Sequence, residues 1–536
     1  MGRIAGTERS VDVRWRRYRS DHRHRSEWRD RGGSSGAHKV SDRDELTSSL
    51  IVGAGPVGLT AALSAQRLGL PTRLIERSTV RHRHPKAVVL WPRALEVLDR
   101  LGIADDIVAA GQPLHGQNYS SAGKRIATVS FGKIADSKYS YALAIPQHET
   151  ERILAETYLA RGGRIEYGSE LLALSDRTDG VDVTIRGQSG EETACFRWLI
   201  GADGHRSTVR EKLAIAFEGE TYGARFMLSD GPCELPLDRT HAHYFMGKQG
   251  VVVAVPMPND QWRIFANAPA ELEEITPAQV EQTVADRLPV PITFRSGHTA
   301  GLFQIHRKSA PNLMRSSSFI VGDAAHVHSP AGGQGLNTGF EDAASLMWRL
   351  AVITQGGYAD LKEWETERGS VIEAVLHDTD LQTRLWSVRG RQARLRDLTL
   401  RAATATGVLD RFVAPRQAML NTRYPSRTPR HIGRLKTGGR LPSIALDKSS
   451  PTTLHDLLDA HAATTITFDP KKVLVTSAAV DPNDRTDERS YPATASMFGS
   501  LRITKPVRVQ VRPDGIVTEV TRHRRNETPA ERTELR

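Results

Sequence analysis

The chain has 536 residues, 39% of them hydrophobic and 25% charged, the composition of an ordinary water-soluble protein with room for two to four domains. Its longest apolar stretch, LIVGAGPVGLTAAL, is too short and too glycine-rich to span a bilayer, which argues against a membrane span. The net charge is +11, and the two cysteines, Cys195 and Cys233, lack metal or redox spacing, so free thiols in a reducing cytoplasm are expected rather than a disulfide.

Residues 1–45 hold twelve Lys or Arg against eight Asp or Glu, which places +4 of the charge in this segment. No apolar core of a signal peptide is present there, and the acidic residues argue against a transit peptide. Arg interleaved with Trp15, Tyr18 and Trp28 has the look of a nucleic-acid-binding segment. Composition favours a disordered basic tail over residues 1–46, and no nucleic-acid partner is expected.

Folding is expected to begin near Leu50. The stretch LIVGAGPVGLTAALSAQRLG reads as strand, glycine turn, helix and cap. Leu50, Ile51 and Val52 suit a buried parallel strand, Pro56 the first helical turn, and Gly69 a left-handed helix end. A second strand, TRLIER, ends at Glu76, eighteen residues after Gly58. This is the full dinucleotide-binding fingerprint: Gly53, Gly55 and Gly58 for the turn, the pyrophosphate approach and helix packing, and Glu76 for a ribose. It does not distinguish NAD from FAD.

Further along, WPRALEVLDRLGI (91–103) is an amphipathic helix, IPQHETERILAE (145–156) starts another, and FRWLIGADGHRSTVR (196–210) ends a strand at Asp203-Gly204. Between about 219 and 305, GVVVAVPM and QWRIFANA read as β-strands joined by polar turns such as PND. Then GDAAHVHSPAGGQGLN (322–337) puts a glycine cluster between a short apolar strand, FIV, and a long amphipathic helix whose stripe is Leu336, Phe340, Ala343, Met347 and Leu350. Glycine allows close backbone approach, and a helix N-terminus carries unpaired N–H groups and fractional positive charge. The cluster reads as a seat for an anion.

These motifs, in this order, resemble the class A flavin-dependent monooxygenases, the para-hydroxybenzoate-hydroxylase-like aromatic hydroxylases. The resemblance runs from about Leu50 to Arg368 and continues more weakly to about residue 520. It implies an α/β fold: a Rossmann-type FAD-binding domain, an interleaved β-sheet substrate domain and a C-terminal thioredoxin-like domain. The corresponding division is 47–218 and 306–425 for the FAD-binding parts with a helical linker, 219–305 for the substrate sheet, 426–524 for the C-terminal domain, and a tail at 525–536. No Cys-x-x-Cys occurs in that last domain, so dithiol chemistry is excluded.

The resemblance also implies FAD as cofactor, NADPH or NADH and O2 as co-substrates, and a flavin C4a-hydroperoxide that hydroxylates a phenolic or polyketide-like aromatic. By the same resemblance, FAD contacts fall on Gly53, Ala54, Gly55, Pro56, Val57 and Gly58, on Glu76 and Arg77, on Gln147 and Arg152, and on Asp203 and Gly204. Asp323, Pro330, Gly332, Gly333, Gly335, Leu336 and Asn337 complete the set, with Asp323 on the ribityl chain. No catalytic base is assigned; Tyr119, His148, His241, His243 and Tyr244 are candidates by residue type only. No metal-ligand cluster is expected; His22, His24, His82 and His84 lie in Arg-rich segments. The partner is a small aromatic molecule, and the family allows a homodimer. Alternatives on the same motifs are an epoxidase, a Baeyer–Villiger-type oxygenase, a reductase, or a flavin- or nucleic-acid-binding protein without turnover.

Overall fold

The computed structural model describes residues 48–81, 88–269, 272, 274–426, 428–447, 451–477 and 488–523, without the side chains of Tyr222, Ala224 and Glu488. The expectations for the basic tail, for His82 and His84 and for residues 525–536 lie outside the described residues.

Strand β1 (Ser49–Val52) is buried along its whole length, as a central parallel strand must be. It turns into α1 (Pro56–Arg67), with Pro56 at the first helical position. Gly69 adopts φ +65° to end the helix, and the chain returns as β2 (Thr72–Glu76). Helix α2 (Pro92–Arg100) follows, then the hairpin β3 (Gly116–Ser121) and β4 (Lys124–Ser130). Helix α3 (Gln147–Ala160) leads through β5 (Ile165–Tyr167) and a three-stranded antiparallel sheet within 170–196 to β6 (Trp198–Gly201).

The middle of the chain is β-rich: β7 (Glu218–Glu234), β8 (His241–Gly247), β9 (Gly250–Pro256), β10 (Gln261–Asn267) and β11 (Gly301–Ser309). The expected PND turn is real, with Asn259 and Asp260 both at positive φ between β9 and β10. After β12 (Ser318–Ile320) the chain makes α4 (Gly335–Thr354), α5 (Leu361–Ser387) and α6 (Gly390–Ala405). The C-terminal region carries β13 (Thr464–Asp469), β14 (Lys472–Ser477), β15 (Glu488–Pro492), a short helix Ala495–Leu501, β16 (Val507–Val511) and β17 (Val517–Arg522).

Two sheets frame the site. In the first, β12, β6, β1, β2 and β5 lie side by side and parallel, with the short strand Met314–Arg315 antiparallel at the β12 edge. Ile51 pairs with both Leu74 and Ile200, so the core runs through β1. The second sheet takes the order His326–Val327, β11, β7, β10, β9, β8, β3, β4. The strands expected between 219 and 305 are thus joined by β3 and β4 from an earlier part of the chain, β3 pairing parallel with β8. The C-terminal strands form a separate sheet, β15-β14-β13-β16-β17, with antiparallel pairings throughout and its own apolar core. Its likeness to thioredoxin rests on the sequence resemblance.

Helix α4 packs its apolar stripe into the core as expected at Phe340, Ala343, Met347 and Leu350, all fully buried. Phe340, Met347 and Leu350 each contribute roughly 1.5–3 kcal/mol of transfer free energy. Leu336, read as part of the same stripe, is instead half-buried and faces a cavity. The outer wall of α4 is charged. Arg368 donates to Asp342 Oδ1 at 2.7 Å and to Tyr424 Oη at 2.7 Å, and Asp342 Oδ2 lies 2.7 Å from His326 Nε2. Arg349 and Arg512 share Glu367, at 2.8 and 2.7 Å, and Arg512 reaches Asp514 at 2.9 Å. Arg93 pairs with Glu341 and Glu96, and Arg440 holds Glu96 at 2.9 Å. Five buried arginines therefore face five buried carboxylates, and two of these arginines come from beyond residue 425.

Candidate active site

A cavity of about 1200 Å³ lies between the two sheets. One end is made of backbone. Gly53 has φ +104°, and a Cβ there would lie 2.5 Å from the carbonyl oxygen of Ala202, in the loop after β6. A Cβ on Gly58 would lie 1.9 Å from the Gly53 carbonyl oxygen. Only glycine lets β1, α1 and the β6 loop close together in this way. Glu76 sits at the end of β2, where Oε2 accepts from the Ala54 N–H and Oε1 from the Ser78 N–H, both at 2.9 Å.

The other approach to the cavity is the glycine cluster. Gly322 and Gly333 take φ near +60°, and Asp323 stands exposed at the cavity edge. Asn337 locks the loop: its Oδ1 accepts from the Trp91 N–H at 2.7 Å, and its Nδ2 donates to the carbonyls of Gly333 and Val89 at 2.7 and 2.9 Å. Gln334 precedes α4 without a capping hydrogen bond from its side chain, and the first turn carries no acidic residue. A twenty-residue helix thus opens beside the cavity with its positive end uncompensated by a side chain. His326–Val327 pairs with β11, so this one motif ties the parallel sheet to the larger one.

Most sequence-predicted positions gather on this cavity: Gly53 to Val57, Glu76, Arg77, Gln147, Asp203, Gly204, Asp323, Pro330, Gly332, Gly333, Gly335 and Leu336 all line it. Asp203 accepts from Ser207 Oγ at 2.5 Å and from the Val209 N–H at 3.1 Å, and burial raises its carboxyl above the usual range. Three positions stand elsewhere. Gly58 acts from behind, through the packing just described. Asn337 is buried and orients the loop. Arg152 points away, its guanidinium between Glu149 (2.9 Å) and Glu156 (2.6 Å) on the outer face of α3.

The candidate bases also separate. His243 Nε2 lies 2.7 Å from the Asp238 carbonyl, its ring is 6.3 Å from that of Trp262, and burial lowers its pKa. His241 is hydrogen-bonded to the Asp238 carboxylate. Alternation along β8 explains their absence from the cavity, because Ala242 and Tyr244 face it. His148 lines it from α3, while Tyr119 lies behind Tyr244, ring stacked on ring at 4.7 Å.

The sheet end of the cavity is aromatic. Trp91, Phe131, Tyr244, Phe265, Phe303 and Trp386 line it with Gln117 and Arg263. Sequence reasoning did not single out these residues, apart from Tyr244. Arg263 is buried and gripped by Asp230, Nε to Oδ1 at 2.6 Å, so a fixed cation stands in the wall. Gln117 and Phe131 come from the segment around β3 and β4, which carries no strong period-2 apolar signal. Trp386 comes from the end of α5, outside any quoted motif.

Comparison with known proteins decides the family. Residues 46–379, more than half the chain, match the family described as FAD binding domain. The chain belongs to this FAD-binding family. Over 353 residues it is 32% identical to 6-methylpretetramide 4-monooxygenase of Streptomyces rimosus, covering 64% of this chain. The chain spans 63% of the length of that relative. It is 30% identical to a 12-dehydrotetracycline 5-monooxygenase/anhydrotetracycline 6-monooxygenase of Streptomyces rimosus subsp. rimosus, over 74% of this chain and 80% of the relative. The solved structure of OxyS anhydrotetracycline hydroxylase from Streptomyces rimosus overlays with a TM-score of 0.69 at 25% identity, covering 89% of this chain and 95% of that one.

The geometry fits the family's cofactor. A dinucleotide needs a turn without Cβ atoms, a carboxylate beside it and uncapped amides for charge, and the cavity supplies all three. Its volume exceeds the roughly 300–1,000 Å³ of a single small-molecule site, which leaves space for a second molecule at the aromatic end. Among the described residues no group of three or more His, Cys, Asp or Glu is arranged to hold a metal ion.

Proposed function

We propose that this protein is an FAD-dependent monooxygenase that transfers one oxygen atom of O2 to a phenolic or polyketide-like aromatic at the expense of NAD(P)H. The observation that carries the reading is the single cavity with a backbone-lined end and an aromatic-lined end. FAD, when bound, supplies the redox chemistry: it takes a hydride from the nicotinamide and activates O2.

This chain's residues would do the rest. Gly53, Gly55 and the first turn of α1 hold the pyrophosphate, and Glu76 exchanges its bond from the Ala54 amide for a ribose hydroxyl. Asp323 would hold the cofactor's ribityl chain. The amides at Gly335 and Leu336 would stabilise negative charge on the bound flavin, with Gly333 and Gly335 leaving room for close approach. The β7–β11 sheet, with β3 and β4, roofs the aromatic substrate and excludes water. The FAD-binding, substrate and C-terminal parts would correspond to the three sheets, with β3 and β4 joining the substrate part from outside 219–305. A cytoplasmic setting suits the two free thiols, Cys195 half-buried and Cys233 buried.

The test is direct. Purified protein is expected to be yellow and to consume NAD(P)H faster when offered phenols or polyketide aromatics. In 18O2 the product gains one labelled oxygen atom. A colourless protein that takes up no FAD defeats the reading, and a product changed only in hydrogen content makes it a reductase.

A further inference from the structure

The cavity wall contains a hydrogen-bond chain with a defined direction. Tyr119 Oη donates to Gln117 Oε1 at 2.7 Å, and Gln117 Nε2 donates to Tyr244 Oη at 3.3 Å. An amide has one acceptor end and one donor end, so the order is fixed once Tyr119 has given its proton to the Gln117 oxygen. Tyr244 therefore already accepts, and among the described residues nothing is seen to accept its own O–H. Gln117 and Tyr244 both line the cavity, whereas Tyr119 does not.

The surroundings make this hydroxyl a donor and not a base. Burial and the adjacent Tyr119 push the Tyr244 phenol well above its ordinary value, and burial takes Tyr119 up to about 12. Both stay protonated at neutral pH. Stacking on Tyr119 at 4.7 Å and a tilted contact with Trp386 at 5.5 Å hold the ring in place. An O–H turned toward the cavity is satisfied inside the complex only by a ligand acceptor, so a ligand oxygen placed there gains selectively over a ligand without one.

Resting on the proposed function, we propose that Tyr244, oriented by Gln117 and Tyr119, donates its hydroxyl to a ring-carbonyl oxygen of the aromatic substrate. The site then selects quinone-type or keto-bearing fused rings over bare aromatic ones. Tyr244 is in this assignment a specificity-determining residue, while Gln117 and Tyr119 are positioning residues.

A matched pair of probes tests it: 2-hydroxyanthraquinone and 2-hydroxyanthracene, which share a ring skeleton and differ in the two carbonyls. Each is titrated into the FAD-loaded protein in mildly acidic buffer, where both are neutral, with binding read from quenching of tryptophan fluorescence. The wild type is expected to prefer the quinone by about tenfold or more. Tyr244→Phe is expected to remove that preference while leaving affinity for 2-hydroxyanthracene unchanged. Gln117→Met is expected to reduce the preference several-fold, and Tyr119→Phe less. FAD content and Tm of the variants show that the fold is kept. A wild type without preference, including one that binds neither probe, overturns the assignment, and so does a Tyr244→Phe variant that keeps the wild-type ratio. Because the ratio is a binding measurement, it is separate from the oxygen-incorporation test of the proposed function.

Discussion

The two faces of α4 are built on opposite principles. Its first turn, beside the cavity, offers backbone amides and glycines and almost no side-chain partners. Its body, away from the cavity, carries Glu341, Asp342 and Arg349 in a buried network of formal charges. A ligand seat must leave donors open, so it cannot stabilise itself. Rigidity is supplied from behind, by ion pairs whose partners lie on α2, α5 and the C-terminal region. The comparison teaches that ligand affinity and fold stability are separable along one helix.

The strongest way to break that comparison is to unpair the charged face. Arg368→Met leaves Asp342 and Glu341 without their shared cation and Tyr424 without its donor. A loss of about 3–5 kcal/mol is expected, seen as a Tm drop of about 3–5 °C by calorimetry. Residual folded protein should still take up FAD. Gly58→Ala attacks the other side. Its Cβ would meet the Gly53 carbonyl oxygen, so flavin affinity is expected to fall by at least about tenfold, read from bound-flavin absorbance. Gly69→Ala, where a Cβ meets nothing within 4 Å, should leave flavin binding unchanged.

Acid sharpens the contrast. Arg368 and His326 hold the Asp342 carboxyl down at about 2, below its ordinary 3.8. A depressed folded value means stability that is present above the unfolded value and lost as pH falls toward the folded one. Between about pH 4 and 2 this single group should remove roughly 2 kcal/mol, and Asp342→Asn should flatten that part of the stability curve. The smallest effect is expected far from both faces. Thr276 caps the helix Pro277–Ala285 in a capping box with Gln279. Thr276→Ala should cost about 1 kcal/mol in urea unfolding and leave FAD binding untouched.

The backbone-lined half of the site was legible because its chemistry is written in consecutive residues. Gly53, Gly55, Gly58 and Glu76 sit at spacings that a strand–turn–helix unit dictates, and the glycine cluster at 332–335 adjoins the helix it opens. The aromatic half was not. Gln117 reaches Tyr244 through a parallel pairing of β3 with β8 across more than a hundred residues, and β3 reads GQNYSS with no apolar alternation. Trp386 extends α5 beyond the last motif. Arg152 was carried over with Gln147 from the family resemblance, yet its side chain is drawn to Glu149 and Glu156 on its own helix. Leu336 fitted the apolar period of α4 but lies in the first turn, where the helix has not yet entered the core.

The ion-pair network has a consequence for how the protein is made. Arg93 donates to the Asp514 carbonyl at 3.3 Å, across 421 positions of chain. Arg349 lies beside Glu367, which is finished only by Arg512. During synthesis the nucleotide-binding half can form its parallel strands early, but its helical back wall holds uncompensated charge until Arg512 has been made. Arg512 and Asp514 thus act as a keystone: a wall begun at Arg93 is completed only by residues more than four hundred positions later.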